Sequence, residues 1–151
     1  MQKFDSIDEI LDFAIKEEQK AVDMYLDLAN KTKSPSVKKQ LEIFANEEKK
    51  HKAKILQVKE GNLLALSREK VMNLKIAEYM ADIDESEVIN YQTALIFAMK
   101  KEKIAYRMYT ELASVADDLE VEALFLELAQ EEAKHKLHFE IEYDDHVHGE
   151  N

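Results

Sequence analysis

The sequence contains no cysteine. Disulfides, zinc–thiolate sites and iron–sulfur or rubredoxin-type iron sites are therefore excluded from the chain's own chemistry. Glycine occurs only twice and proline once in 151 residues. That scarcity leaves few tight turns and fits a small number of long helices. No apolar run approaches the roughly 20 residues of a membrane span. The opening "MQKFDSIDEI" shows no basic segment followed by an apolar one, so no signal peptide is read and a cytoplasmic location is expected. Positive charge is also in deficit: 21 Lys and Arg face 32 Asp and Glu, for a net charge of −11. Such a balance argues against nucleic acid or an anionic membrane as partner. What is present is 46% hydrophobic and 35% charged residues, the mixture of a folded globular chain, at a length that suits one domain with a single core.

Apolar residues recur at helical spacing almost throughout, and no long stretch alternates with period two. Four helices are expected, at about residues 6–32, 35–60, 86–115 and 118–143. "SIDE" offers a capping box, Ser6 with Glu9, for the first. "KTKSPS" supplies Ser34 as cap and Pro35 at the first helical position of the second, which stops at Gly61-Asn62. Residues 61–85 are read as a crossover containing a short helix in "SREKVMNLKIAEYM". The third helix is expected to begin near Asp84, where "DESE" resembles a cap, and Asp117-Asp118 turn the chain into the fourth. The tail "DDHVHGEN" is expected to be mobile.

The chain also repeats itself. Shifted by 84 positions, residues 11–52 overlay 95–136 without a gap, with 17 of 42 identical. Phe13 matches Phe97, Glu18 matches Glu102, Tyr25 matches Tyr109, Glu47-Glu48 match Glu131-Glu132, and His51 matches His135. Two copies of this length read as a duplicated helical hairpin, hence an all-α bundle with approximate twofold symmetry, not a solenoid.

Helix geometry brings the repeated polar residues together. Glu18 lies ~22 Å along the first helix from the Ser34 turn, and Glu48 and His51 lie ~21 to 26 Å back along the second. Glu102, Glu132 and His135 repeat this arithmetic around Asp117-Asp118. Facing agrees with depth. Ala14, Glu18, Ala21, Tyr25 and Leu28 form one stripe, copied by Ala98, Glu102, Ala105, Tyr109 and Leu112. Leu41, Phe44, Glu48, His51 and Ile55 form another, copied by Phe125, Leu128, Glu132, His135 and Phe139. A carboxylate interrupting such a stripe unpaired would cost several kcal/mol or become protonated. Four carboxylates and two neutral imidazoles instead balance two divalent ions. One Glu-x-x-His in a Glu-rich chain is expected by chance; two in matching register with a preceding Glu point to a metal pair. The competing reading is a buried ion-pair cluster inherited from a metal-binding ancestor.

At these residues the sequence resembles the ferritin-like di-iron carboxylate proteins, and among them the rubrerythrin family, over about residues 6–143. The class is described by one Glu from each of two helices and a Glu-x-x-His from each of the other two. The resemblance implies a ferritin-like four-helix bundle with two iron ions. In it Glu48 and Glu132 bridge the metals, Glu18 and Glu102 are terminal ligands, and His51 and His135 each hold one ion. Manganese also suits mixed carboxylate and imidazole ligands. Around the ligands, Glu47 and Glu131 are placed to accept a hydrogen bond from the other ring nitrogen of a ligand His on a facing helix. Tyr25 and Tyr109 either donate to a ligand carboxylate or serve as core tyrosines. No catalytic residue is read beyond the metal ligands. His138, His146 and His148 lack the repeat symmetry and are expected to face solvent, as are the lysines of "EEKKHKAK".

The resemblance further implies reduction of hydrogen peroxide to water, and a homo-oligomer such as a dimer. Two departures bear on this. Rubrerythrins of the standard type carry a four-cysteine rubredoxin domain, so here electrons are expected from a separate donor such as a rubredoxin. They also usually carry a further Glu one turn after the third-helix ligand, where this chain has Ala105. The site is thus the symmetric four-Glu, two-His kind, which also resembles bacterioferritin ferroxidase centres. Iron oxidation with dioxygen, manganese chemistry and non-enzymatic metal binding therefore stay open as alternatives.

Overall fold

The computed structural model describes residues 7–61, 88 and 90–149. They form four α-helices: α1 Ile7–Lys31, α2 Pro35–Gly61, α3 Tyr91–Ser114 and α4 Leu119–Gly149. By compactness the chain divides into two units, one holding α1 and α2, the other α3 and α4.

In the first unit, three residues separate α1 from α2, a link short enough to make them antiparallel neighbours. The Thr32 N–H still bonds to the Leu28 carbonyl (3.0 Å), the Ser34 N–H then bonds to Thr32 Oγ1 (3.3 Å), and Ser34 Oγ accepts from the Val37 N–H (3.3 Å). Pro35 opens α2, where its missing N–H removes a donor that would have no helical partner. Ile10, Leu11, Ala14, Val22, Tyr25 and Leu28 of α1 are buried, as are Leu41, Phe44, Ala45, Ile55 and Val58 of α2. These positions fall at the three- and four-residue steps of a single helix face. Each large apolar side chain so buried contributes on the order of 2 kcal/mol.

The second unit repeats the plan. Ala94, Leu95, Ala98, Met108, Tyr109 and Leu112 of α3 are buried, with Val121, Phe125, Leu128 and Phe139 of α4. Between the helices Val115 and Ala116 close the last turn of α3 through N–H bonds to Leu112 and Ala113 carbonyls, both 3.3 Å. Asp118 then caps α4, its Oδ1 accepting from the N–H groups of Glu120 (2.7 Å) and Val121 (3.2 Å).

Two boundaries differ from expectation. α3 begins at Tyr91, not near Asp84 or residue 86. The cap is Asn90, whose Oδ1 accepts from the Thr93 N–H (2.9 Å) while Thr93 Oγ1 accepts from the Asn90 N–H (3.0 Å). This reciprocal box satisfies two end donors at once. At the other end α4 continues to Gly149, so the tail expected to be mobile is helical through residues 144–149. Tyr91 supplies a reason: its hydroxyl donates to Glu142 (2.9 Å), and its ring meets that of His146 edge-on at 5.0 Å. The expected Ser6 cap, the crossover with its short helix and the "DESE" segment lie outside the described residues.

Candidate metal centre

Each hairpin buries one identical set of three polar side chains. In the first, Glu18, Glu48 and His51 are 3%, 0% and 1% exposed; in the second, Glu102, Glu132 and His135 are 2%, 1% and 1% exposed. Helical spacing places them. Glu48 and His51, one turn apart, occupy the same inward face as Phe44 and Ile55, and Glu18 meets them from α1 because it lies on the stripe between Ala14 and Tyr25.

His51 Nδ1 stands 3.5 Å from Glu48 Oε2 and 3.6 Å from Glu18 Oε2. His135 Nδ1 stands 3.9 Å from Glu102 Oε2. These separations are too long for good hydrogen bonds. They come near the spacing of ligands around one ion, since bonds of about 2.1 Å at angles of 90 to 120° place donor atoms about 3.0 to 3.6 Å apart. In each hairpin the Glu, Glu and His can each offer one donor atom within 4.8 Å of the others. Two carboxylates with a neutral imidazole carry −2, which one divalent cation balances. Carboxylate oxygen with imidazole nitrogen and no sulfur suits iron or manganese. The residues present therefore fit a bound metal. Among the described residues, the groups of His, Asp and Glu close enough to share an ion are drawn from these six alone.

The remaining candidates divide. Tyr25 and Tyr109 are fully buried, and each ring lies 6.1 Å from a phenylalanine, Phe44 and Phe125 respectively. Glu47 and Glu131 are half-buried. Of the three histidines expected in solvent, only His148 is exposed; His138 and His146 are half-buried. For His146 the cause is the contact with Tyr91. Burial lowers the His138 pKa from the ordinary 6.5, with Glu142 opposing the shift and His135 adding to it. Nothing in the repeat signals these two positions, because Tyr91 and His146 lie outside the duplicated segments.

Two helical hairpins, each with a buried carboxylate–imidazole triad, define a helical protein able to hold metal in its interior. Comparison with known proteins agrees: residues 9–143 match the rubrerythrin family. The chain belongs to that family, and its fold is the ferritin-like four-helix bundle. A solved structure of a hypothetical protein from Pyrococcus furiosus is similar at 26% identity, with a TM-score of 0.71 over 93% of this chain and 90% of that one. A comparison with curated proteins finds no match. Among the described residues, no helix is long and apolar enough to cross a membrane.

Proposed function

We propose that the six residues together hold two iron ions and that the protein reduces hydrogen peroxide to water, drawing electrons from a separate donor. The observation that carries this reading is the duplication itself: each hairpin buries the same Glu, Glu and His with donor atoms within 4.8 Å of one another. In this account Glu18, Glu48 and His51 would hold one ion and Glu102, Glu132 and His135 the other, with Glu48 and Glu132 as the shared carboxylates and Glu18 and Glu102 as the terminal ones. The di-iron pair, when bound, supplies Lewis acidity and two electrons for the oxygen–oxygen bond. The chain's own part is to fix spacing and exclude water. Phe44 of α2 and Phe125 and Leu128 of α4 are buried on the same helix faces as the triads, and apolar surroundings strengthen every charge interaction inside. Glu47 and Glu131 orient the ligand imidazoles, and Tyr25 and Tyr109 donate to ligand carboxylates. A single domain, a cytoplasmic location, a role against oxidative stress and assembly as a homodimer belong to the same proposal.

A second reading is favoured by one residue. Ala105 stands where standard rubrerythrins carry an additional Glu, which leaves the symmetric ligand set of a ferroxidase. The two readings separate in stopped-flow absorbance after anaerobic ferrous loading. Peroxide reduction requires that stoichiometric peroxide oxidise the bound iron far faster than dioxygen does. Equal rates with dioxygen, together with continued consumption of excess ferrous ion, would move the assignment to iron oxidation.

A further inference from the structure

The two hairpins share their buried triads but differ in the groove between their helices. Between α3 and α4 a cleft of about 430 Å³ is lined by Lys103, Tyr106, Ala133, Lys136, Leu137 and Glu140. Tyr106 is 43% and Leu137 56% exposed, so the cleft offers an aromatic and an aliphatic side chain to the outside. The first hairpin is an internal control. Moving back 84 positions, Lys103 becomes Gln19, Tyr106 becomes Val22, Lys136 becomes Lys52 and Leu137 becomes Ala53. There Lys52 Nζ donates to Gln19 Oε1 of the facing helix (3.0 Å), and Val22 is buried. In the second hairpin the same two positions are both lysines, which cannot pair with each other. Lys136 instead pairs with Glu140 of its own helix, and Lys103 is exposed at the rim.

The charge around the cleft runs against the net charge of the chain. From residue 100 to 107, α3 carries Lys100, Lys101, Lys103 and Arg107 against one acid, the buried Glu102. In α4, residues 133–138 read "AKHKLH", with no acid at all. The matching stretch of α1, residues 16–23, sets Lys16 and Lys20 against Glu17, Glu18 and Asp23, whereas that of α2, residues 49–54, is itself basic, "KKHKAK", so the two hairpins differ in charge through α1 and α3. A protein of net charge −11 thus gathers cationic charge from both helices around a partly apolar cleft in the second hairpin.

Position gives that face a use. Lys103, Ala133 and Lys136 each follow directly after a triad residue, Glu102, Glu132 and His135. The cleft therefore lies at the level of the second triad. We infer that the cleft is the docking surface for the electron donor, a small acidic electron-transfer protein whose carboxylates meet Lys103 and Lys136 while Tyr106 and Leu137 cover its apolar contact. This rests on the peroxide reading above. There, one peroxide takes two electrons and two protons and leaves as two waters, so a one-electron donor is oxidised twice per turnover. Salt bridges at a rim set encounter rate and salt dependence more than final affinity, which suits a partner that must leave quickly.

The test uses a net-negative rubredoxin as probe and K103E/K136E as the variant, with Q19E/K52E as the matched change on the other hairpin. With iron-loaded protein and peroxide, K103E/K136E should slow oxidation of reduced rubredoxin by about tenfold or more at low salt. Binding of oxidised rubredoxin, followed by calorimetry, should fall in parallel. Q19E/K52E should change neither. Single-turnover oxidation of pre-reduced K103E/K136E by peroxide, without any donor, should keep its wild-type rate, which also shows that the variant folds. Wild-type rubredoxin binding and oxidation in K103E/K136E would overturn the inference. So would wild-type binding that is absent or indifferent to salt, or a dimer in sedimentation that K103E/K136E converts to monomer, which would give this face to a second copy. Failure of peroxide to oxidise the wild-type ferrous protein would instead defeat the functional reading, while the binding arm would still judge the docking surface.

Discussion

His51 Nδ1 stands 3.6 Å from a carboxylate oxygen of Glu18, 33 residues earlier and on the other helix of its hairpin. His135 and Glu102, also 33 residues apart, repeat the relationship at 3.9 Å in the second hairpin. Both pairs are buried. An arrangement this costly without a cation has consequences that differ in sign between the metal-free and the metal-bound protein.

The first concerns Glu48, which has no exposure. Replacing it with the neutral isostere, Glu48→Gln, removes one buried negative charge. In the presence of chelator the variant should be more stable than wild type by roughly 1–3 kcal/mol. With ferrous ion under anaerobic conditions the order should invert, because a metal ligand has been lost. Thermal melts with and without chelator check the crossing; a variant less stable under both conditions would show that Glu48 is satisfied by the protein alone.

Metal should also stabilise the fold by mass action. At a free concentration about a hundredfold above the dissociation constant, one ion adds about 2.7 kcal/mol to unfolding. His51→Ala and His135→Ala should each remove one bound ion per chain and its share of that stabilisation. Metal analysis after gel filtration, alongside denaturant melts, reads both quantities.

Acid should weaken the fold partly through His138, whose burial lowers its pKa from 6.5. A histidine harder to protonate when folded binds fewer protons in the native state than in the unfolded one, so stability rises with pH across that interval. The contribution is fully present above the unfolded value and is lost as pH falls below about 6.5. His138→Gln should therefore flatten the decline in melting temperature between about pH 7.5 and pH 5.5. An unchanged decline would place the pH sensitivity elsewhere.

The end of α4 is held by Tyr91, which donates to Glu142 and packs against His146. Tyr91→Phe keeps the ring contact and loses the hydrogen bond, at a cost of about 1 kcal/mol. Amide exchange at residues 144–149 should be slowed in the wild type and faster in the variant. Exchange at the rate of an unstructured tail in both would contradict the helical ending.

Much of this was legible in the sequence because duplication supplied a second witness for each residue. Glu18, Glu48 and His51 stand out only when Glu102, Glu132 and His135 repeat them at one offset, and the helix that begins at Pro35 has local signals for its start. The start of α3 was misread because "DESE" and "NYQT" both have capping spacing, and local pattern does not rank them; the box between Asn90 and Thr93 does. The helical tail was missed for a different reason. Residues 144–149 are polar and carry no apolar periodicity, and Tyr91, more than 50 positions away, makes the contacts that hold them. The cleft lay in the sequence as a difference between the copies, Lys103, Tyr106 and Leu137 against Gln19, Val22 and Ala53, whereas the duplication marks what they share. Its outward exposure depends on how Tyr106 and Leu137 project, which composition does not report.

The central claim is that these six side chains hold two metal ions. Anaerobic titration with ferrous ion, followed by a crystal structure with anomalous scattering recorded at the iron edge, tests it directly. The account requires two irons per chain, one beside His51 with Glu18 and Glu48, the other beside His135 with Glu102 and Glu132. Iron absent from both triads, or scattered over the surface carboxylates while the triads stay empty, would contradict it.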